Sequence, residues 1–382
     1  MTEFRTMGYH QKHAKITRRN NGNYASNEIS FLGVKCSVIS NLVENIAKKH
    51  QKLAKIAYLD ASHADTIEAS IMDVFTFHHS GNLDVNTKNE LNKFNARIQL
   101  SQYDLVCING NHFEGTKQVL ILDNEKEASV KKRLHQLTDV QFVIKMKSDS
   151  KYFDFLEDQV PNIKTLPCFL IDALDEIGSH ISSLIESSIP DIQGLVLAGG
   201  RSTRMGTDKG LLNYHGLPQR EFLYNLFQEF FPRKDEDQLG VYYSVHQNQD
   251  VSGNVIVDKF KGLGPFGGIC SAFQENPNTA WLVVATDIPF IRKEILELLL
   301  SRRNSSKIAT TFKGTSKEFP EPLITIWEPK AYPILLNYLA QGYSCPRKVL
   351  INSDVEIVEI DDAIIRNINT RQEFDMVKKE LK

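Results

Sequence analysis

Cysteine is scarce: the 382 residues hold five, Cys36, Cys107, Cys168, Cys270 and Cys345, odd in number, far apart and without a CxxC pair. That argues against a disulfide framework or a structural zinc site. Long apolar runs are missing too, and none approaches the ~18 residues a membrane-spanning helix needs. The first twenty residues are polar and basic with no apolar stretch behind them, so they do not read as a secretory signal. Nor is there an excess of one charge: 45 Lys+Arg stand against 47 Asp+Glu, a net −2. Residues 1–190 hold 22 basic and 23 acidic side chains, residues 191–382 hold 23 and 24, so no basic arm is joined to an acidic body. No field draws this chain to nucleic acid or to an anionic membrane, and neither is expected as a partner. Internal repeats and low-complexity tracts are also lacking. The expectation is a soluble, cytoplasmic protein.

What is present is ordinary globular material, 41% hydrophobic and 24% charged, at a length that suits two domains or three. Short β-rich runs alternate with helical patterns in both halves, which predicts α/β architecture with mainly parallel sheets and helices on both faces. In the first half, Glu28–Val34, Lys55–Leu59, Leu105–Asn109, Gln118–Leu122 and Val140–Ile144 read as strands. Val38, Ile39, Leu42, Val43, Ile46 and Ala47 recur at helical spacing, and a second helical pattern covers Lys126–Leu137. Residues 1–27 lack periodicity and read as a mobile or irregular segment. Glu186-Ser-Ser-Ile-Pro190-Asp191 reads as a boundary, giving expected domains over 28–187 and 191–382. The second half restarts with the strand Gly194–Ala198 and a helix whose apolar face is Phe222, Leu223, Leu226, Phe227, Phe230 and Phe231. Strands are expected at Val241–Val245, Val255–Val257, Trp281–Ala285 and Glu356–Ile360. Helices are expected at Ile291–Leu300, Pro329–Leu339 and Thr370–Leu381.

The most informative stretch is Leu197-Ala-Gly-Gly200-Arg201-Ser-Thr-Arg204-Met-Gly206-Thr-Asp208-Lys209. A strand delivers the chain to Gly199-Gly200, where missing side chains let backbone N–H groups approach a polyanion closely. Arg201, Arg204 and Lys209 add clustered cations, the arginines able to fork onto two phosphate oxygens and the lysine acting as a point charge. This describes a triphosphate-binding loop. No G-x-x-x-x-G-K-[ST] aligns over it, and the third glycine of G-x-G-x-x-G is absent, so it is neither a P-loop nor a dinucleotide fingerprint. Thr286-Asp287-Ile-Pro289 follows an apolar strand, where the ends of parallel strands place ligand sites. A carboxylate there suits a hard cation such as Mg²⁺, which needs only one or two carboxylates besides phosphates and waters. On local sequence alone Asp287 could instead cap the next helix.

Leu-Ala-Gly-Gly-x-Ser-x-Arg-Met-Gly-x-Asp-Lys resembles the signature loop of molybdenum cofactor guanylyltransferases, the MobA type, which are Rossmann-like nucleotidyltransferases. The resemblance covers about residues 192–382. Gly216-Leu-Pro218 resembles the family's step before its first helix. Asp258 ahead of Gly264-Pro265-Phe-Gly267-Gly268 resembles the acid and Gly-Pro-x-x-Gly loop around the nucleoside. Thr286-Asp287-Ile-Pro289 resembles its metal-binding Asp-x-Pro, and Asn369-Thr370 its usual ending. The resemblance implies transfer of GMP from GTP to molybdopterin with release of pyrophosphate, an EC 2.7.7 activity dependent on Mg²⁺. It implies that Leu197, Ala198, Gly199 and Gly200 line the nucleotide, that Lys209 contacts phosphates with Arg204 assisting, that Asp258 contacts the nucleotide, and that Asp287 holds the metal. Ser244 stands where the family usually has a nucleotide-contacting asparagine, and is the candidate nucleotide contact there with a shorter reach. The acceptor's phosphate carries the attacking oxygen, so no protein nucleophile is expected. Pro346-Arg347-Lys348 is a candidate anion-binding edge for the bulky acceptor or a solvated helix start. Cys270 reads as core, and His215 and His246 as structural.

In the first half, Glu28-Ile-Ser-Phe-Leu-Gly33-Val34-Lys35-Cys36-Ser37 sits where a Walker A loop would sit, but Ile29 and Val34 replace both glycines and Cys36 the Mg²⁺-binding hydroxyl. Asp104-Leu-Val-Cys-Ile-Asn109-Gly110 has a Walker B-like look, with Asn109-Gly110 where the MobB family typically has Glu-Gly. Over about residues 27–180 the chain resembles MobB, the GTP-binding partner in molybdenum cofactor biosynthesis. The degenerate P-loop predicts that nucleotide hydrolysis is lost and that the domain is structural or docks a partner. Asp60-Ala-Ser-His63 and Phe77-His78-His79 form no metal spacing. Two further readings stay open for the whole chain: transfer of another nucleotide, such as a cytidylyl group, and a non-catalytic scaffold that delivers cofactor. Expected partners are GTP, molybdopterin, other molybdenum-cofactor proteins and apo-molybdoenzymes.

Overall fold

The computed structural model describes residues 16–62, 73–86, 92–199, 208–232, 240–246 and 251–381. The chain divides into two compact units, one of Asn20–Ile189 and one that takes the chain from Pro190 together with the segment ending at Arg19.

In the first unit the strands are β1 (Glu28–Leu32), β2 (Ile56–Leu59), β3 (Val74–Phe77), β4 (Leu83–Asn86), β5 (Leu105–Asn109), β6 (Lys117–Leu122), β7 (Val140–Lys145) and β8 (Cys168–Leu170). The helices are α1 (Cys36–His50), α2 (Lys93–Leu100), α3 (Glu127–Lys132), α4 (Leu156–Gln159) and α5 (Leu174–Glu186). Six strands form one parallel sheet in the order β2-β5-β1-β6-β7-β8, and β3 and β4 pair antiparallel on their own. Along β1 the side chains alternate, so Ile29 and Phe31 meet α1 and α5 while Leu32 faces the layer of Val130 and Leu156. Helix α1 buries Ile39, Leu42, Val43 and Ile46, the i, i+3, i+4, i+7 stripe of its sequence. In its last turn Lys48 and Lys49 complement the helix dipole. The helix expected over 126–137 is broken into two 3₁₀ turns around the short α3. Only Val130 and Leu137 are deeply buried along that stretch, too little apolar surface to hold three continuous turns.

The second unit holds β9 (Ile192–Leu197), α6 (Gln219–Phe230), β10 (Val241–Val245), β11 (Val255–Val257), α7 (Pro265–Glu275), β12 (Ala280–Ala285), α8 (Lys293–Ser301), β13 (Ala309–Gly314), β14 (Ile324–Trp327), α9 (Ala331–Ala340), α10 (Pro346–Ile351), β15 (Glu356–Ile360) and α11 (Arg371–Glu380). Its sheet runs β11-β10-β9-β12-β14-β13-β15, and only β14 is antiparallel to its neighbours. Alternation again sorts the faces. Val196, Leu282 and Val284 pack with residues of α6 and α8, while Leu195, Trp281 and Val283 pack with residues of α7 and α9. The expected Rossmann-like arrangement, a mainly parallel sheet with helices on both faces, is what forms. Strand order reverses at β9: the chain passes outwards to β10 and β11, then returns to β12 on the other side. Such a switch point opens a crevice at the C-terminal ends of the strands.

Gly264-Pro265-Phe-Gly267-Gly268, expected as a loop, is instead the start of α7. Only Gly264 is left-handed, at φ 57°, and Pro265 opens the helix, where its missing N–H costs nothing. Gly216, at φ 92°, turns the chain into Pro218, the N-cap of α6.

Candidate active site

The register of the four parallel strands sets the geometry. Ser244 on β10 lies beside Leu197 on β9, and Leu197 beside Ala285 on β12, while Ser244 also pairs with Ile256 on β11. The residues that follow, Ala198-Gly199, His246, Asp258 and Thr286-Asp287, therefore emerge together at one end of the sheet.

Two polar clusters stand there. In the first, Ser244 Oγ donates to Asp258 Oδ1 at 2.8 Å, and His246 Nδ1 lies 3.4 Å from Asp258 Oδ2. Asp258 is only 6% exposed, and burial pushes its carboxyl above the usual range, partly offset by Ser244 and His246. The floor under this pair is Gly268 of α7, where an added Cβ would stand 2.4 Å from Ser244 Oγ and 3.0 Å from Leu197 Cδ2. Helix α7 thus reaches the strand ends only because that position has no side chain. Ala198 N–H donates to Ser244 O at 2.9 Å, which ties the start of the glycine-rich loop to β10.

In the second cluster, Lys209 Nζ donates to Asn369 Oδ1 at 2.7 Å and lies 3.5 Å from Asp287 Oδ2. Asp208 caps the short turn Lys209–Leu211, its Oδ1 accepting from Gly210 N–H at 2.8 Å, so the lysine is presented from a braced turn. Asp287 Oδ1 is buried and takes no hydrogen bond among the described residues. Burial holds the Asp287 carboxyl above the usual range, with Lys209 pulling the other way. Asp287 is not a helix cap, because Arg292 occupies the N-cap of α8. The backbone closes the cluster: Ile368 N–H donates to Asp287 O at 2.8 Å.

A cleft of about 520 Å³ adjoins this second cluster, lined among others by Lys317, Glu321, Arg347, Arg366 and Asn367. Glu321 is 6% exposed, and burial, with Asp287 adding like-charge repulsion, raises its carboxyl above the usual range. Arg347 Nη2 and Asn367 Nδ2 approach Glu321 Oε2 at 3.5 and 3.4 Å. Arg347 thus belongs to the cleft, whereas Lys348 sits 3.8 Å from the centre of the Tyr343 ring. Sequence reasoning left Glu321, Asn367 and the side chain of Asn369 unassigned. The signal for Glu321 is its place in Pro320-Glu321-Pro322, an acid between two residues of restricted backbone.

The structure therefore brings Leu197, Ala198, Gly199, Ser244 and Asp258 to one side of the crevice, and Lys209 and Asp287 to the other. Gly200, Arg201 and Arg204 lie outside the described residues. Cys270 is fully buried, and His215 Nε2 bonds to Pro289 O at 2.9 Å. Among the described residues no group of three or more His, Cys, Asp or Glu is arranged to hold a metal by itself. No helix there is long and apolar enough to cross a membrane.

At the switch point of this mainly parallel sheet the crevice is edged by Gly199, Lys209 and the half-satisfied carboxylate of Asp287. Residues 194–356 match the family described as the MobA-like NTP transferase domain, so the second unit carries such a domain. The chain is 30% identical over 188 residues to the molybdenum cofactor biosynthesis bifunctional protein of Synechocystis sp., a match spanning 49% of this chain and 53% of that protein. It is 28% identical over 193 residues to the molybdenum cofactor guanylyltransferase of Pseudomonas aeruginosa, spanning 48% of this chain and 93% of that one. Among solved structures, the molybdopterin-guanine dinucleotide biosynthesis protein A of Archaeoglobus fulgidus aligns with a TM-score of 0.41 at 21% identity, over 49% of this chain and 97% of that one.

Proposed function

We propose that the second unit transfers GMP from GTP to the phosphate of molybdopterin or its molybdenum form, releasing pyrophosphate, in the cytoplasm. The observation that carries the reading is the Lys209–Asp287–Asn369 cluster, set at the strand ends of a domain whose relatives are guanylyltransferases by name. In this reaction an oxygen of the acceptor phosphate attacks the α-phosphorus of GTP. The bond from that phosphorus to the β-phosphate bridging oxygen breaks, and pyrophosphate leaves. Both reactants are anions, so the protein's task is to neutralise charge and hold the two groups in line.

Lys209 supplies the fixed cation, held by Asn369 so that it points across the crevice rather than into solvent. Asp287 fits Mg²⁺: one carboxylate oxygen is buried without a hydrogen bond, and a hard cation with phosphate and water ligands asks little more of the protein. Bound there, Mg²⁺ would offset triphosphate charge. Leu197, Ala198, Gly199, Asp258 and Ser244 line the nucleoside side, and Gly200 and Arg204, outside the described residues, are proposed to bind the nucleotide with them. Ser244 spends its hydroxyl proton on Asp258, so it orients the acid and meets the nucleotide only as a hydrogen-bond acceptor. The polar cleft, lined by Lys317, Arg347 and Arg366 and equally by Glu318, Glu321 and Asp362, takes the acceptor, whose phosphate is met by its three cations and approaches from the Asn367–Asn369 side. The first unit is read as a MobB-like domain with a degenerate P-loop that serves structure or docking. Other molybdenum-cofactor proteins and apo-molybdoenzymes are the proposed protein partners.

The test is thermal stabilisation of the full chain. GTP with Mg²⁺ should raise the melting temperature more than CTP or ATP at matched concentration, because only a ligand of the folded state stabilises it. Pyrophosphate release should then require molybdopterin. Equal shifts with CTP and GTP would overturn the guanylyl assignment, and binding without pyrophosphate release would favour the scaffold reading.

A further inference from the structure

We propose that Cys36 and His112 form a nucleophilic dyad in the first unit, and that its substrate class is small hydroperoxides, which Cys36 attacks at oxygen. Sequence reading placed Cys36 in a failed phosphate loop. The structure gives it different company. Cys36 is the first residue of α1, a helix of 15 residues, and its half-buried Sγ lies at the C-terminal ends of the parallel strands β1, β2 and β5. His112, on the turn after β5, brings Nε2 to 3.3 Å from Sγ, and Asn111 Nδ2 reaches it at 3.5 Å while also donating to Val34 O.

The surroundings are built rather than incidental. Asn109, fully buried, donates from Nδ2 to Asp60 Oδ1 at 2.8 Å and accepts on Oδ1 from Asn111 N–H at 3.1 Å. Asp60 Oδ1 in turn lies 3.9 Å from His112 Nε2, so positive charge gained by that ring has a counter-charge beside it. Tyr58 OH donates to Asp60 Oδ2 at 2.9 Å, and burial keeps the phenol neutral. Asn111 Oδ1 is buried and takes no hydrogen bond among the described residues, an acceptor left open beside the sulfur. Among the described residues the charged and titratable groups around Cys36 include His112, Asp60 and Tyr58, with Lys35 next to it in the chain and Arg133 donating from Nη2 to Asn111 O at 3.2 Å. Burial opposes ionisation of the thiol. Hydrogen bonds from Asn109, Asn111 and His112, and the charge of His112, outweigh it and hold the thiol below its ordinary range. The amide ends of α1 act in the same direction.

The reaction balances within the site. Cys36 gives its proton to His112 Nε2, and the sulfur attacks the terminal oxygen of the hydroperoxide. An S–O bond forms as the O–O bond breaks, and the departing alkoxide takes the proton from His112. Sulfur loses two electrons and the peroxide gains them, leaving cysteine sulfenic acid and an alcohol, or water from hydrogen peroxide.

The other four cysteines are internal controls. Cys107 and Cys270 are buried, with thiols pushed up to about 12, and Cys168 and Cys345 are exposed. In the full chain at about pH 6.5, iodoacetamide should alkylate Cys36 at least about tenfold faster than Cys168 or Cys345, as expected of a thiolate held by a cation and a helix start. The residue is read by peptide mass mapping. Hydrogen peroxide followed by dimedone should label Cys36 first, and Cys36→Ser should abolish that label. His112→Gln should slow alkylation at this pH and move the midpoint of the rate–pH curve upwards, which a merely structural histidine would not do. Cys36 alkylating no faster than the two exposed cysteines, or a rate–pH curve unchanged in a folded His112→Gln protein, would overturn the proposal. If that variant does not fold, the ranking of the five cysteines in the unaltered chain decides the question alone.

Discussion

Lys209 and Asp287 face each other at 3.5 Å across the mouth of the second unit, yet the carboxylate is not satisfied by the pairing: Oδ1 stays buried and unbonded among the described residues, and burial still holds its carboxyl above the usual range. A buried acid that its partner only partly compensates costs stability. Such a cost is expected of a group kept for a ligand rather than for the fold.

Asp287→Asn should therefore separate function from stability. GMP transfer should be nearly abolished, because the amide cannot hold Mg²⁺. Without ligand, the variant should melt higher by roughly 2–4 °C, the shift that about 1 kcal/mol gives a domain of this size. The pH dependence follows from the raised carboxyl. Between the unfolded and folded pKa values the native protein binds the extra proton, so wild-type stability falls as pH rises through that window. The gap between variant and wild type should be absent well below about pH 4 and should grow to a plateau above the folded pKa. Calorimetry across pH checks this, and an Asn variant that melts lower at neutral pH would contradict it.

Lys209→Ala should weaken GTP binding and slow turnover, since it removes the one cation held by Asn369 at the strand ends. Asn369→Ala should mimic it partially, because the lysine remains but loses its brace. The charge loss should weaken GTP binding roughly ten- to hundredfold, a charge-assisted contact being worth about 1.5–3 kcal/mol. Isothermal titration with GTP and Mg²⁺ measures both.

How much of this was readable beforehand divides along physical lines. Strands buried on both faces, such as Val241–Val245 and Trp281–Ala285, announce themselves as apolar runs, and they found their places. Ala309–Gly314 and Ile324–Trp327 escaped notice. Their threonines, Thr310, Thr311 and Thr325, are fully buried, with the hydroxyls of Thr311 and Thr325 bonded to each other at 2.8 Å, so the sequence looked polar where the fold is core. At the site, residues attached to a recognisable loop or strand end could be named. Glu321, Asn367 and the bracing role of Asn369 depend on segments far apart in sequence meeting at Asp287, which no local pattern encodes. The P-loop reading of Cys36 failed to foresee His112 for the same reason.

Gly268→Ala should disturb the nucleoside side without touching the catalytic pair. Its new methyl would press on Ser244 Oγ and Leu197 Cδ2 and push α7 away from the strand ends. Overpacking of this kind costs about 1–3 kcal/mol. The variant should show a lower melting temperature and a higher KM for GTP, with kcat less affected. Ser244→Ala should rescue part of the loss in the double variant, because the closest obstacle is its hydroxyl.

The first unit should contribute no nucleotide site, and the full chain should bind one GTP. A P-loop wraps the β-phosphate with successive backbone N–H groups of glycines, and a hydroxyl after the lysine completes the Mg²⁺ shell. Here Gly33 alone supplies a left-handed turn, at φ 105°, and Lys35 is the N-cap of α1 with an extended backbone. Cys36, a soft ligand poorly suited to Mg²⁺, is engaged with His112, and the neutral Asn109 is bonded to Asp60. Lys35→Ala should accordingly leave GTP stoichiometry and affinity unchanged, whereas Lys209→Ala should weaken the single binding event. Titration that finds two GTP per chain, with one lost on Lys35→Ala, would show that the loop still encloses a phosphate.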